Sequence, residues 1–432
     1  MEALVQYLWQ HRLWPPGQLR LTDGRPVTVI DPGRLNTGSG PDFFNAKIRL
    51  GDRIWAGDVE IHLRASDWNR HGHAVDPAYD SVILHVVTRD DCPIRRRTTG
   101  EIIPQLVVTC SPEFRRRCDD LLSRAPMEMP CADEIARSTP LHIADWMTSL
   151  ALERLYMKAD RITALLSQTA GDWRRACFVT LARGLGFGTN SEPLERLALS
   201  VALPVLDHHS DSLTSLEAIL FGQSGLLTDA SAPDDDPYVA LLRSEYAFLA
   251  TKYGLTPVSS PGWKRGRLRP ANMPHRRVAM LALMTLGGFD LQGRIADCRN
   301  ADDARALFGR SLSGYWATHY GFGVTAGDTT PPLTLSARSA DILVINVVVP
   351  MLLAHGLAVG DLDAPERAVS LLESLPPERN TVIDAMARAG LPARDALTTQ
   401  ALIGLRRNYC EARKCLYCRM GHRLLQRATS LT

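Results

Sequence analysis

The chain has no excess charge of either sign. Its 49 lysines and arginines against 47 aspartates and glutamates leave a formal net charge of +2, so overall charge gives no argument for a nucleic-acid partner. It opens without the basic segment and small-residue cleavage site of a secretory signal, since Met1-Glu2 leads into an acidic-then-apolar stretch. No uninterrupted apolar run is long enough to read as a membrane span. The longest, 342–359, contains Asn346, Pro350 and His355 and reads as a buried helix or helix pair. No internal period marks a solenoid. Nine cysteines in a chain without a signal argue against a disulfide framework and for a reducing cytoplasm. What is present is 45% hydrophobic and 22% charged content over 432 residues, which describes a globular protein with a sizeable core and more than one domain.

The most informative stretch lies near the N-terminus. Gly40-Pro41-Asp42-Phe43 is followed by the strand-like run Trp55–Leu63. A strand sends alternate side chains to opposite faces, so Asp58, Glu60 and His62 are expected on one face and Val59, Ile61 and Leu63 on the other. One face suits a core. The other gathers acids and an imidazole, which is costly unless a cation or water meets them. Asp42, Glu60 and Asp58 are therefore candidate ligands of a divalent ion, with His62 beside it. Asp42 also suits a turn cap, and Glu60 a solvated strand position. A polar segment follows, Ser66–Tyr79, in which His71 and His73 sit in a Gly-containing loop and are candidate contacts to a phosphate or a second metal. His85, inside the apolar run Val82–Val87, reads as a hydrogen-bonded core histidine.

The Pro41-Asp42 pair and the Glu60-Ile61-His62 triplet resemble the PD-(D/E)XK phosphodiesterase superfamily, with its restriction-endonuclease-like fold. The resemblance implies that Asp42 and Glu60 bind Mg²⁺ (or Mn²⁺), that Asp42, Glu60 and His62 are catalytic, and that DNA or RNA is the substrate. It departs at His62, where that superfamily has a lysine. An imidazole carries no assured charge near neutral pH, so a catalytically inactive nucleic-acid-binding or scaffold protein is the alternative. A third possibility is a metallohydrolase using His62, His71 and His73 for a transition metal.

Two styles of sequence divide the chain. Residues 1–125 read as an α/β nuclease-like domain: a helix over Glu2–Trp9, strands over Val27–Asp31, Ala46–Leu50, Arg53–Leu63, Val82–Thr88 and Ile103–Thr109, and a closing helix Pro112–Arg124. Residues 126–432 read as a large all-α domain. Its expected helices include Leu141–Gln168, Leu312–His319, Asp341–His355 and Thr399–Leu425. Thr228–Asp236 reads as a polar acidic loop. Basic runs stand at Arg95–Arg97, Arg115–Arg117, Trp263–Pro270 and Arg276-Arg277. Arg267 and Arg269 are candidate substrate contacts, since guanidinium groups hold phosphate. Trp263, Tyr315, Trp316 and Tyr320 read as core rather than base-stacking residues.

The C-terminal segment carries Cys410, Cys415 and Cys418 in a C-x4-C-x2-C spacing that lets several sulfurs reach one soft metal centre. Zinc or an iron–sulfur cluster needs a fourth ligand, for which His422 is near in sequence and Cys131 distant. Some nucleases of the PD-(D/E)XK superfamily staple themselves with an iron–sulfur cluster held by one remote cysteine and a C-terminal trio, a resemblance that would assign Cys131. The stretches Gly40–Phe43, Val59–His62, Ser66–Trp68, His71–His73, Leu84–Val87, Glu153–Leu155, Phe221–Leu227, Leu268–Asn272 and Tyr409–Gly421 together resemble an uncharacterised bacterial family known as a domain of unknown function. That family implies no activity; no membrane association is expected, and protein partners are left open.

Overall fold

The computed structural model describes residues 2–14, 19–36, 38–123, 129, 131–229, 232–259 and 262–429. Arg124 at the expected helix end, Pro130 at the domain junction, and Ala230 and Ser231 of the acidic loop lie outside the described residues. The chain forms two compact units, one of residues 1–140 with 405–432 and one of residues 141–404. The boundary expected at 125 therefore moves to 140, and the cysteine-bearing terminus joins the first unit.

The first unit is built on a mixed sheet. Helix α1 (Glu2–Gln10) precedes strands β1 (Val27–Asp31), β2 (Arg34–Leu35), β3 (Phe43–Leu50) and β4 (Arg53–Arg64). A short helix α2 (Asp67–Arg70), β5 (Val82–Arg89), β6 (Gln105–Val107), helix α3 (Pro112–Ser123) and helix α4 (Ala132–Arg137) follow. The spatial order is β1-β3-β4-β5-β6, with β2 pairing β3. β3 runs antiparallel to β4, while β4, β5 and β6 are parallel. The main core lies on one face. Leu4, Val5, Tyr7, Leu8 and Trp9 of α1 meet Ile48, Val59, Ile61, Leu84 and Val86 from the sheet and Phe114 and Leu121 from α3. Leu416 and Leu425 of the chain terminus enter the same core. This is why segment 405–432 groups with the first unit: Leu416 and Leu425 are removed from water there. A smaller apolar cluster of Ala65, Trp68, Val82, Val87, Ile94 and Ile103 forms separately.

The expected strands are present, with β3 starting three residues earlier and β6 reduced to three residues. The alternation expected through β4 fails at one point. The β4–β5 register shifts between Asp58 and Val59, and the β3–β4 register shifts between Phe43 and Ala46. Asp58 is thereby turned to Asn45, whose backbone is left-handed (φ 58°), and to Ser81.

The second unit is helical. Its longest helix, Pro140–Gln168, buries Trp146, Leu150, Leu155, Ala159 and Ile162. Two expectations there need correction. Leu312–His319 is a single 3₁₀ turn, Gly314–Ala317, followed by a two-stranded ribbon, His319–Gly321 with Val324–Thr325. The expected helix Thr399–Leu425 is broken. It runs as Ala396–Gly404, continues in π geometry to Cys410, and restarts at Arg419 after a 3₁₀ turn at Cys415–Tyr417. The apolar segment Ala337–Val359 has the length and hydropathy of a membrane-crossing helix, yet 67% of its most apolar window is buried inside the protein, as in a core helix. Its π turn, Val344–Val348, stands just before Pro350. Proline has no N–H to continue the ladder, and the freed geometry lets Lys158 Nζ reach Ile345 O (3.2 Å) and Asn346 Oδ1 (2.9 Å).

Candidate metal centre

Asp42 precedes β3, and Glu60 lies opposite it on β4. The two are tied together through backbone as well as side chain. Asp42 N–H donates to Glu60 Oε2 (3.0 Å), and Ile61 N–H donates to Asp42 Oδ2 (3.0 Å). Gln6 Nε2, from α1, donates to Asp42 Oδ1 (2.9 Å). Asp42 thus has both oxygens engaged and acts as a clamp that orients Glu60. The free oxygen of Glu60, Oε1, faces His73 Nε2 at 3.3 Å and His62 Nε2 at 3.5 Å. Glu60 is 5% exposed and His62 1%.

Two imidazoles approach this oxygen, and a third, His71, joins them through His62. His62 comes from β4, and His71 and His73 come from the turn after α2. Gly72 between them adopts φ 80°, a left-handed conformation that reverses the chain tightly enough for both neighbours to face His62. His62 Nε2 is 3.1 Å from His71 Nδ1. One donor atom from each of the three rings lies within 4.8 Å of the others. The cluster grades from buried His62 through half-buried His73 to exposed His71, so one side is open to solvent. Behind it, His85 Nε2 meets His62 Nδ1 at 2.8 Å, while His85 Nδ1 has no hydrogen-bond partner among the described residues. His85 was read as core from its strand, and the parallel register that pairs it with Glu60 shows why it reaches the site. Tyr79 stacks on His73 with ring centroids 3.8 Å apart, and Trp68 packs edge-on against His73 and His85.

Burial governs the electrostatics of this centre. Burial, with the charge of Glu2, raises the Asp42 carboxyl, and burial, with the charge of Asp42, raises Glu60. Burial, with the neighbouring imidazoles, lowers His62 to about 2 and His85 to about 3. Burial biases the acids towards their protonated forms and the imidazoles towards their neutral forms, and neutral imidazole is the form that can ligate a metal.

The structure distributes the other candidate residues as follows. Asp58 is not brought to the centre; Asn45 N–H and Ser81 Oγ occupy its oxygens at 3.0 and 2.6 Å. Arg267 and Arg269 lie in the second unit, on a pocket treated below. Of the basic runs, Arg97 pairs with Asp80 and Arg117 with Glu113. Trp316 is core, its indole N–H donating to Glu217 (2.8 Å).

The cysteines form a second cluster in the first unit. Cys131 is near enough to Cys418, Cys410 and Cys415 for their charges to raise its pKa, after burial, to about 12. Cys410 is likewise raised to about 12 by burial and then by Cys418 and Cys415. All nine cysteines are free thiols. His422 is engaged elsewhere, with its Nδ1 2.7 Å from Tyr7 Oη and its ring 4.0 Å from that of His11.

The class of protein defined here has an α/β unit carrying a carboxylate–imidazole cluster and a helical unit. The chain belongs to the family described as "Protein of unknown function (DUF2851)", whose model matches residues 2–381. That match takes in the whole carboxylate–histidine centre and Cys131, and stops short of the cysteine segment 410–418, which the sequence resemblance had included. No curated protein and no solved structure matches the chain.

Proposed function

We propose that the first unit is a metal-dependent phosphodiesterase, a nuclease whose ion is held by His62, His71, His73 and Glu60. The observation that carries this reading is the clustering of donor atoms. One nitrogen from each of His62, His71 and His73 lies within 4.8 Å of the others, and Glu60 Oε1 lies 3.3 Å from His73 Nε2 and 3.5 Å from His62 Nε2. An ion with bonds of about 2.0–2.1 Å to four tetrahedral donors spaces them by roughly 3.3 Å. Imidazole nitrogens with one carboxylate suit a transition ion such as Mn²⁺, Fe²⁺ or Zn²⁺ better than the magnesium implied by the resemblance, which prefers oxygen ligands. His62, held neutral, serves here as a ligand and not as the cation that a lysine would provide.

The phosphodiester substrate is supported by the arrangement behind the resemblance: a helix, three main strands, a short helix and a parallel strand, with the acid ahead of the second main strand and Glu-x-His on the third. When bound, a divalent ion supplies Lewis acidity toward a phosphoryl oxygen and acidifies a coordinated water. The protein's own groups do the positioning. Asp42 fixes Glu60, His85 orients His62, and the exposed His71 side admits substrate. Tyr79 covers His73 and limits water on that flank. The test is cleavage of single- and double-stranded DNA and RNA with added Mn²⁺. Cleavage abolished in Glu60→Gln and His73→Ala supports the reading. Equal cleavage in wild type and both variants overturns it, and salt-dependent binding without cleavage would point to the inactive nucleic-acid-binding alternative.

The four cysteines support a second, structural centre. A lone zinc ion draws four sulfurs to about 3.8 Å of one another. Among the described residues, the sulfurs do not form a group of three within 4.8 Å, as the histidines do. A wider set suits a polynuclear iron–sulfur cluster held by Cys131, Cys410, Cys415 and Cys418. A reducing cytoplasm, which keeps thiols available as ligands, belongs to the same reading. Anaerobically purified protein should show iron, sulfide and a visible charge-transfer band that Cys131→Ser removes. Stoichiometric zinc with no visible band would overturn the cluster.

A further inference from the structure

The second unit contains a pocket of about 460 Å³ lined by five arginines: Arg267, Arg269, Arg276, Arg277 and Arg338. No carboxylate lines it, and none of the five forms an ion pair with an acid among the described residues. Such a concentration of like charge is unusual, because guanidinium groups repel one another and lose hydration on burial.

Two of the five are buried. Arg277 is 6% exposed. Its guanidinium lies 4.4 Å from the centre of the Phe187 ring, and one terminal nitrogen donates to Asn272 Oδ1. Its Nε has no hydrogen-bond partner among the described residues. Arg276 donates only to backbone carbonyls, to Trp316 O at 2.7 Å, to His319 O at 2.9 Å and to Pro332 O. Carbonyl dipoles satisfy its N–H groups without neutralising its charge. Burial, and then the charge of Arg276, lowers Arg277 to about 10. The remaining three arginines are exposed at the pocket's edge. Arg267 holds a left-handed backbone conformation (φ 60°), strain that a non-glycine residue keeps only where its surroundings impose it. Ser336 and Ser339 add hydroxyl groups, while Met280, Leu312 and Ile342 give the pocket an apolar floor.

We propose that this pocket binds a nucleotide-like small molecule, its phosphates held by Arg269, Arg277, Arg267 and Arg338 and its base or other apolar body seated against Met280, Leu312 and Ile342. The argument is one of missing charge. Two adjacent buried cations with no acid near them are stabilised when a multiply charged anion enters, and phosphate matches the guanidinium fork in shape. The volume lies within the range of small-molecule sites, about 300–1,000 Å³, and a mixed lining of convergent polar groups and apolar side chains is typical of them. The pocket is separate from the carboxylate–histidine centre, and this inference does not rest on the proposed phosphodiesterase activity.

The test uses the full chain and measures thermal shift and calorimetric binding with inorganic phosphate, pyrophosphate, AMP, ADP, ATP, adenosine and a 5′-phosphorylated single-stranded oligonucleotide. Affinity should rise from AMP to ATP, with adenosine silent. Arg269→Ala and Arg338→Ala, both at exposed positions where folding is not at stake, should each weaken ATP binding by roughly 10- to 100-fold, the worth of a charge-assisted hydrogen bond. Arg277→Lys keeps the buried charge and loses the fork, so it should also weaken ATP binding. The proposal is overturned if no phosphate compound binds saturably at millimolar concentration, if adenosine binds as tightly as ATP, or if both edge variants bind ATP like wild type. It is overturned also if only the oligonucleotide binds, since that result would assign the arginines to a nucleic-acid backbone.

Discussion

Tyr417 Oη donates a 2.6 Å hydrogen bond to Gln6 Oε1. Gln6 in turn donates to Asp42, and Asp42 to Glu60, so a residue between two cysteines of the terminal segment is linked to the carboxylate of the proposed metal centre. Tyr417→Phe removes the first link without changing shape. We expect it to cost about 1 kcal/mol in stability and to weaken metal binding at the histidine centre by roughly tenfold, as losses of outer-shell partners do. Titration of the apo-protein with Mn²⁺ checks this, and an unchanged affinity would detach the terminal segment from the site.

The donor set predicts which ions support turnover. Glu60 and three histidines complete a tetrahedral ion, whereas an ion preferring six ligands keeps positions for water and substrate. Mn²⁺ or Fe²⁺ should therefore activate phosphodiester cleavage, Mg²⁺ should do so weakly, and Zn²⁺ should bind tightly and inhibit. Elemental analysis of the metal-loaded protein should give one such ion per chain, lost in the His62→Ala, His73→Ala double variant. Strong activity with Mg²⁺ alone that survives in this variant would contradict the ligand assignment.

His275 predicts an acid sensitivity of the second unit. Burial, and then the charge of Arg265, lowers it from 6.5 to about 4. The unfolded chain therefore takes up a proton before the folded one does. The stability due to neutral His275 is intact above pH 6.5 and is lost as pH falls through 6.5 towards 4. His275→Gln removes that difference. Between pH 7 and pH 4.5, wild type should lose roughly 2 kcal/mol more than the variant. Urea unfolding at both pH values is the measurement, and parallel losses in the two proteins would refute the assignment.

Gly421 predicts a steric lock on the cysteine segment. A Cβ at this position would stand 2.0 Å from the carbonyl oxygen of Cys415, a backbone atom that cannot swing aside. Gly421→Ala should destabilise the protein by about 1–3 kcal/mol, the usual range for overpacking. It should also lower the metal content at the cysteines by displacing Cys415. Full metal loading and an unchanged unfolding midpoint in this variant would show that the terminal segment is free to shift.

Much of the carboxylate site was legible because local pattern decided it. The run Val59-Glu60-Ile61-His62 alternates in sequence, and in the structure Val59 and Ile61 enter the main core while Glu60 and His62 face away from it. Asp58 was misassigned because a register shift between neighbouring strands interrupts that alternation. A bulge depends on what the partner strand does, and no property of Asp58 announces it. His85 was set aside for the reverse reason. Its own strand is apolar, and its function comes from a parallel neighbour that places it level with Glu60.

The helical half shows the same division. The helix expected over Leu141–Gln168 is present as Pro140–Gln168. The expected helix Thr399–Leu425 is broken, because the segment around Cys410–Cys418 follows the first unit's core and not its own helical periodicity. Sequence alone determined most of the elements, since strand and helix periods are set within a few residues by side-chain alternation and burial. It also placed an acid ahead of one strand and a Glu-x-His pair on the next. Only the tertiary structure decided that Cys131 lies near three cysteines from the far end of the chain, that Gly72 turns His71 and His73 back onto His62, and that five arginines share one pocket without an acid. Those relations join residues distant in the chain, and long-range packing of apolar surface, which has no local signature, is what brings them together.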